Sequence, residues 1–187
     1  MKKALLITSL LLAATSVSAD EIKSALDEGM SAYKRGELGT AASQWEYAAQ
    51  LARQAKASKV ETLFPKPLSG WTMEAANTTA NAAFGGGINV SRQYLKDEDS
   101  IQIEITMDSP MLQGVIGLIG NPQFAAMSGM KIKRIKGQQA SVESSEGHAK
   151  VQIVVGNNVL VSLEGQPEAA LMSYAEAFNY EGIAALK

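Results

Sequence analysis

Small or apolar residues at Ile22, Ala25, Leu26, Gly29, Met30 and Tyr33 recur at intervals of three and four, the spacing of one helix face. The run Arg35-Gly36-Glu37-Leu38-Gly39 breaks that pattern. Thr40 then supplies a capping hydroxyl for a second helix, which carries Ala41, Trp45, Ala48, Ala49 and Ala52 on one side. Residues 20–58 are therefore expected to form a helical hairpin. Residues 59–71 read as a proline-rich joint, because Pro65 and Pro67 push their predecessors toward extended geometry. Beyond the joint the period drops to two. Val90, Arg92 and Tyr94 alternate with Ser91 and Gln93, and Ile101, Ile103, Ile105 and Met107 alternate with Gln102, Glu104 and Thr106. This predicts an antiparallel β-hairpin with one buried face. Ser109-Pro110 and Asn121-Pro122 each pair a capping side chain with a proline suited to the first helical position, so two short helices are expected before Gly129. Strands are predicted over 130–136, 138–144, 148–155 and 159–164, separated by Gly137, Glu146-Gly147 and Gly156-Asn157-Asn158. Pro167 opens a last helix with Leu171, Tyr174, Ala175 and Phe178 on one face. Residues 72–187 thus read as an α+β domain, an antiparallel sheet with packed helices, and its core should include Ile101, Ile103, Ile105, Val151, Ile153, Val155 and Phe178.

Within the first hairpin Gly29, Gly36, Leu38, Ala41, Trp45 and Ala48 fall at the spacing of small and aromatic residues in a helical repeat. In this the hairpin resembles a single tetratricopeptide repeat, a unit of about 34 residues. The first-helix aromatic is displaced by one to Tyr33, the closing proline is missing and no second copy follows. The resemblance implies protein interaction, without the groove that several stacked repeats would build. A lone hairpin cannot hide its apolar face by itself, so it is expected to pack on a neighbouring domain or a second subunit. Trp45 and Tyr47 lie on one helix but point to different sides, and only one of them is expected to face the partner helix. Tyr33, Trp45 and Tyr47 are accordingly candidate partner contacts. The element order after the joint, with its Pro-Leu-Ser-Gly-Trp lead-in, is similar to the PsbP-like fold in topology. That similarity implies binding or assembly more often than a reaction.

Composition changes the picture at the N-terminus. Lys2 and Lys3, the apolar run Ala4 to Ala14 and the small-residue end Val17-Ser18-Ala19 form a secretory leader over 1–19, with cleavage expected before Asp20 and the periplasm as destination. The apolar run is too short to span a bilayer, which takes about 20 residues. Loss of Lys2 and Lys3 lowers the basic count from 17 to 15 against 19 acidic residues, a net charge of −4 that argues against a nucleic-acid partner. The chain has no cysteine, so disulfides, thiolate metal sites and cysteine nucleophiles are all excluded, and its single histidine, His148, excludes a site of two imidazoles.

Candidate chemistry is sparse. No Gly-x-Ser-x-Gly, His-Glu-x-x-His or Ser-x-x-Lys with Lys-Thr-Gly is present, so no enzyme and no cofactor is expected. Met107, Met111, Met127 and Met130 with His148 could offer soft ligands to copper, yet methionine is also an adaptable core filler, and no metal site is assigned. Asp97-Glu98-Asp99 lacks the glycine and alternation of a calcium loop and reads as a solvated turn, and Gly85-Gly86-Gly87 as a flexible link. Residues 111–120 are apolar nearly all round. A buried helix whose glycines allow close packing on the sheet is the favoured reading, ahead of a lid or a membrane-surface contact. Lys131, Lys133, Arg134 and Lys136 put four cations into six residues. They could meet lipid phosphates or an acidic partner, though lysines along a strand also block edge-to-edge pairing, which is the favoured reading. The expected function is a non-catalytic periplasmic binding or assembly module that uses the hairpin for protein interaction, with a homodimer as one form. A small periplasmic carrier of copper or an apolar ligand is the alternative.

Overall fold

The computed structural model describes residues 19–79, 87–119, 123, 127 and 130–186. The leader up to residue 18, Gly85-Gly86 and most of the second short helix expected after Asn121-Pro122 lie outside the described residues. The protein is α+β, and it divides into two compact units, one up to Ala48 and one from Ala49 onward. Two helices form the first, α1 (Ala19–Lys34) and the start of α2 (Leu38–Glu61). Between them Gly36 takes a φ of 80°, which a side-chain-bearing residue rarely adopts.

The second unit is built on an eight-stranded antiparallel sheet. Its strands are β1 (Thr72–Met73), β2 (Asn77–Thr79), β3 (Ile88–Lys96), β4 (Asp99–Met107), β5 (Lys131–Ile135), β6 (Gln138–Ser145), β7 (His148–Val155) and β8 (Val159–Gly165). Their order is β1-β3-β4-β8-β7-β6-β5, with β2 also pairing with β3. After β4 the chain passes through α3 (Leu112–Ile119) to the far edge, then returns strand by strand until β8 closes against β4. The turns Lys136-Gly137 and Glu146-Gly147 have positive φ at both residues, the geometry of tight two-residue hairpins.

Alternation sets the two faces. Ile103 lies opposite Leu163, Ile105 opposite Val161, and Ile153 between Ala140 and Val161, and all are fully buried. Helices α4 (Glu168–Ala177) and α5 (Tyr180–Ala184) cover this inner face with Leu171, Tyr174, Ala175 and Ile183, joined by Ala57 and Val60 from the end of α2. Phe178 is buried as expected, one residue past the end of α4. The proline-rich joint is pinned to the same core. The Tyr94 hydroxyl donates to the Pro65 carbonyl at 2.7 Å, and the Tyr174 hydroxyl accepts from the Leu68 N–H at 3.1 Å. Trp71 meets Tyr174 edge-on with centroids 5.7 Å apart, and Arg92 lies 5.2 Å over the Phe64 ring.

Two expectations are corrected here. The 111–120 segment is not wholly buried: Leu112 and Ile119 pack on Leu160 of the outer sheet face, while Met111 and Leu118 are exposed. Nor do Gly114 and Gly117 serve close packing, since a Cβ at either would meet nothing within 4 Å.

Candidate interaction surface

The hairpin inverts the usual arrangement of large residues inside and small ones outside. Up to Ala48 its buried positions are Ala25, Gly29 and Ala32 on α1 and Ala41 and Ala48 on α2, and Leu51 is the large apolar side chain buried next along α2. Small side chains along a seam let two helices approach closely, and one aromatic then fills the space at its edge. Trp45 does this: a Cβ at Gly29 would stand 2.5 Å from the indole Nε1, so the ring rests on the glycine backbone. Tyr33 flanks it, with ring centroids 6.0 Å apart. The Arg35 guanidinium makes two 2.8 Å bonds to the Glu37 carboxylate across the turn, and this partner holds Glu37 below the usual carboxylate range.

With the seam filled by alanine and glycine, the larger apolar residues remain outside. Leu26 and Met30 are each 47% exposed, Tyr33 54% and Leu38 64%. On the α1 helix, Leu26, Met30 and Tyr33 fall at intervals of four and three and so share one face, and Tyr33 extends this face to Trp45. Leu26, Met30, Tyr33 and Trp45 thus line one exposed apolar face, and Leu38 is exposed at the start of α2. Tyr47 stands apart from that face. Its hydroxyl donates to Glu21 at 2.9 Å, and the carboxylate acceptor raises the tyrosine pKa. Trp45 and Tyr47 therefore both reach α1, from opposite flanks, which corrects the expectation that only one could face it. The sequence pattern placed Leu26 and Met30 on the inner stripe and Leu38 among the repeat-spaced positions, with none of the three marked as a partner contact. The available signal was the alanine and glycine spacing, which already fills the seam without them.

The basic candidates are separated by their roles. Lys131, Lys133 and Arg134 lie on β5, the edge of the sheet, and are exposed. Arg134 reaches the Gly137 carbonyl at 3.3 Å. Lys136 occupies the adjoining turn with φ 48° and donates to the Phe178 carbonyl at 3.0 Å, so this lysine ties the edge hairpin to the helical layer.

The outer face of the sheet holds a depression of about 280 Å³ lined by Gln93, Gln102, Glu104, His148, Ser162 and Glu164. Glu104 accepts from Asn89 at 2.6 Å and from Thr106 at 3.2 Å, and Glu164 lies 3.7 Å from Lys150. These carboxylates are thus engaged in cross-strand pairs. Among the described residues no group of three or more His, Cys, Asp or Glu side chains gathers to hold a metal ion. The methionines considered as soft ligands are also dispersed: Met107 is fully buried in the inner core, whereas Met111 and Met127 are 68% and 87% exposed. Among the described residues no helix is long and apolar enough to cross a membrane. No protein-family model, curated protein or solved structure matches the chain.

Proposed function

We propose that this chain is a non-catalytic binding or assembly module, acting in the periplasm after export, whose N-terminal hairpin docks protein through Leu26, Met30, Tyr33, Leu38 and Trp45. The observation that carries the reading is the inverted hairpin, with its small residues in the seam and its large apolar residues outside. Apolar area left in water costs about 25 cal/mol per Å², which favours covering it by a partner. A second copy of the hairpin is the occupant argued for. Of the charges near the patch, Lys23 is matched with Asp27 and Arg35 with Glu37 within each copy, which limits like-charge repulsion between two copies to Lys34. A two-fold contact also buries the same patch twice.

Sedimentation velocity on the matured protein over a range of concentrations tests the reading, beside a Leu26→Glu, Met30→Glu double variant. The wild type is expected to dimerise reversibly and the variant to stay monomeric, with melting temperatures that agree at concentrations too low for the wild type to dimerise, since both side chains are half exposed. A wild type that is monomeric at every concentration, or a variant that dimerises equally well, would overturn it.

A further inference from the structure

The sheet ends differently at its two edges. Beyond β3 one edge is covered by β1 and β2, whereas among the described residues β5 pairs with β6 alone. Lys131, Ile132, Lys133 and Arg134 are all exposed, so this edge is open to solvent. Lys136-Gly137 closes a two-residue hairpin, which makes Ile135 and Gln138 a hydrogen-bonded pair. By alternation Lys133 with Ala140 and Lys131 with Val142 are bonded pairs too. The N–H and C=O groups of Ile132 and Arg134 therefore point out of the sheet, and among the described residues none of them has a backbone partner. Four strong hydrogen-bonding groups thus stand at strand spacing along an open edge.

Both faces of this edge are cationic. Lys131 and Lys133 lie in register with Val142 and Ala140 and so belong to the helix-covered face, while Arg134, opposite Gln139, belongs to the other. None of the three forms an ion pair among the described residues. Glu143, the one acid on β6, lies past the last β5–β6 pair and on the face away from the two lysines. Lys136 donates to the Phe178 carbonyl at 3.0 Å, which ties the hairpin to the helical layer and holds the edge in place before anything docks. Exposed edges are ordinarily blunted by proline, a bulge or charge. Strand β5 has neither proline nor bulge, since its five residues pair one to one with β6, so charge alone guards it. Such a guard is selective. It repels basic strands, the β5 of a second copy included, and it attracts an acidic one.

We propose that β5 accepts an extended acidic peptide segment of a partner protein as a further, antiparallel strand of the sheet. The peptide backbone bonds to Ile132 and Arg134, and acidic side chains at alternate positions stand opposite Lys131 and Lys133. In the new ladder those two are the non-hydrogen-bonded pairs, with Cα atoms about 4.5 Å apart, where cross-strand side chains approach most closely. Ile132, 37% exposed, and Arg134 meet the intervening residues on the other face. Shape selects a strand as much as charge selects acid. A phosphate or a folded acidic surface would use the cations and leave the four backbone groups unmet, whereas an extended chain satisfies both.

A short capped peptide that alternates glutamate with threonine, titrated into the matured protein and followed by fluorescence anisotropy, tests the proposal. It is expected to bind, more weakly at high salt, and its counterpart with lysine in place of glutamate is not. Lys131→Gln with Lys133→Gln should weaken binding about tenfold without moving the melting temperature, since both side chains are exposed. N-methylation of the threonine nitrogens, which face β5, should abolish binding at unchanged charge, whereas N-methylation of the glutamate nitrogens should not. Amide hydrogen exchange should slow at Ile132 and Arg134 when the peptide is bound and stay as it was at Lys133, whose N–H already bonds to β6. Tyr33→Ser, in the N-terminal hairpin, should leave binding unchanged, which separates the two docking surfaces. Failure to bind the glutamate peptide, equal affinity for the lysine peptide, indifference to N-methylation of the threonines, or unchanged exchange at Ile132 and Arg134 would each overturn the proposal. So would peptide-free self-association that Lys131→Gln with Lys133→Gln abolishes, because a second copy would then be the occupant.

Discussion

Gly165→Ala changes one hydrogen for a methyl group, yet it should be among the most damaging single substitutions in the chain. Gly165 ends β8 in register with Ile101 of β4 on one side and Ala149 of β7 on the other, in the middle of the sheet. Its φ of 145° lies where residues with a side chain are strained, at a cost of about 1–3 kcal/mol. A Cβ built there would stand 2.1 Å from the Ser100 carbonyl oxygen and 2.9 Å from the Ile101 Cα. Relief of the first contact to an ordinary carbon–oxygen separation of about 3.3 Å needs a shift of roughly 1.2 Å. Both atoms belong to backbone, so no side chain can swing aside. The shift also pulls on the 3.0 Å bond from the Gln166 N–H to the same Ser100 oxygen, whose loss is worth about 1 kcal/mol. Strain, clash and lost bond together should cost at least about 4 kcal/mol, the range reserved for special backbone positions. A domain of this size loses about 2–4 °C of melting temperature per kcal/mol, so thermal unfolding followed by circular dichroism should fall by about 8–16 °C. Gly117→Ala is the matched control, because its Cβ meets nothing within 4 Å and alanine favours the helix by up to about 1 kcal/mol. It should melt at the wild-type temperature or slightly above. A Gly165→Ala protein that melts within about 2 °C of wild type would refute the close approach of β8 to β4.

Ile103 is fully buried at the centre of β4 between Arg92 and Leu163, and Ile103→Ala should cost about 2–5 kcal/mol in urea denaturation. A loss below about 0.5 kcal/mol would place this residue at the surface. Burial pushes the pKa of Tyr94, Tyr174 and Tyr180 up, so the folded state keeps these hydroxyl protons more tightly than the unfolded chain. Stability should therefore be level below the ordinary tyrosine pKa of about 10 and decline as the pH rises through it. Tyr94→Phe should lower stability by about 1 kcal/mol at neutral pH, through loss of the bond to Pro65, and make the alkaline decline shallower. Urea titrations at increasing pH check both, and an unchanged alkaline slope in Tyr94→Phe would count against burial of that hydroxyl.

How legible each element was depends on where its stabilising partner lies. Strands β3 to β8 were readable because each is long enough for alternation to repeat, as in Ile101, Ile103 and Ile105 against Gln102 and Glu104, and because Gly137, Gly147 and Gly156 mark the turns between β5 and β8. Strands β1 and β2 have two and three residues, and among the described residues each pairs with β3 alone, so no local pattern marks them. Helix α5 has five residues, too few for a period to repeat, and is held by burial of Tyr180 and Ile183 in the core beside the local Asn179 cap on Gly182. The side of α3 that faces the sheet is marked in the strands beneath it. Val154 and Leu160 break the polar outer face of β7 and β8, which otherwise carries Lys150, Gln152, Ser162 and Glu164, and the helix sits where they do. The hairpin was the hardest case. An apolar stripe at helical spacing says that a face is covered, but not whether the cover lies inside the chain. Leu26, Met30 and Tyr33 share that stripe with Ala25, Gly29 and Ala32, and only the smaller set fits a seam narrow enough for Trp45 to rest on Gly29. Steric size thus divides one sequence pattern between two duties. The small residues hold the two helices together, and the large ones are left for whatever covers the hairpin from outside.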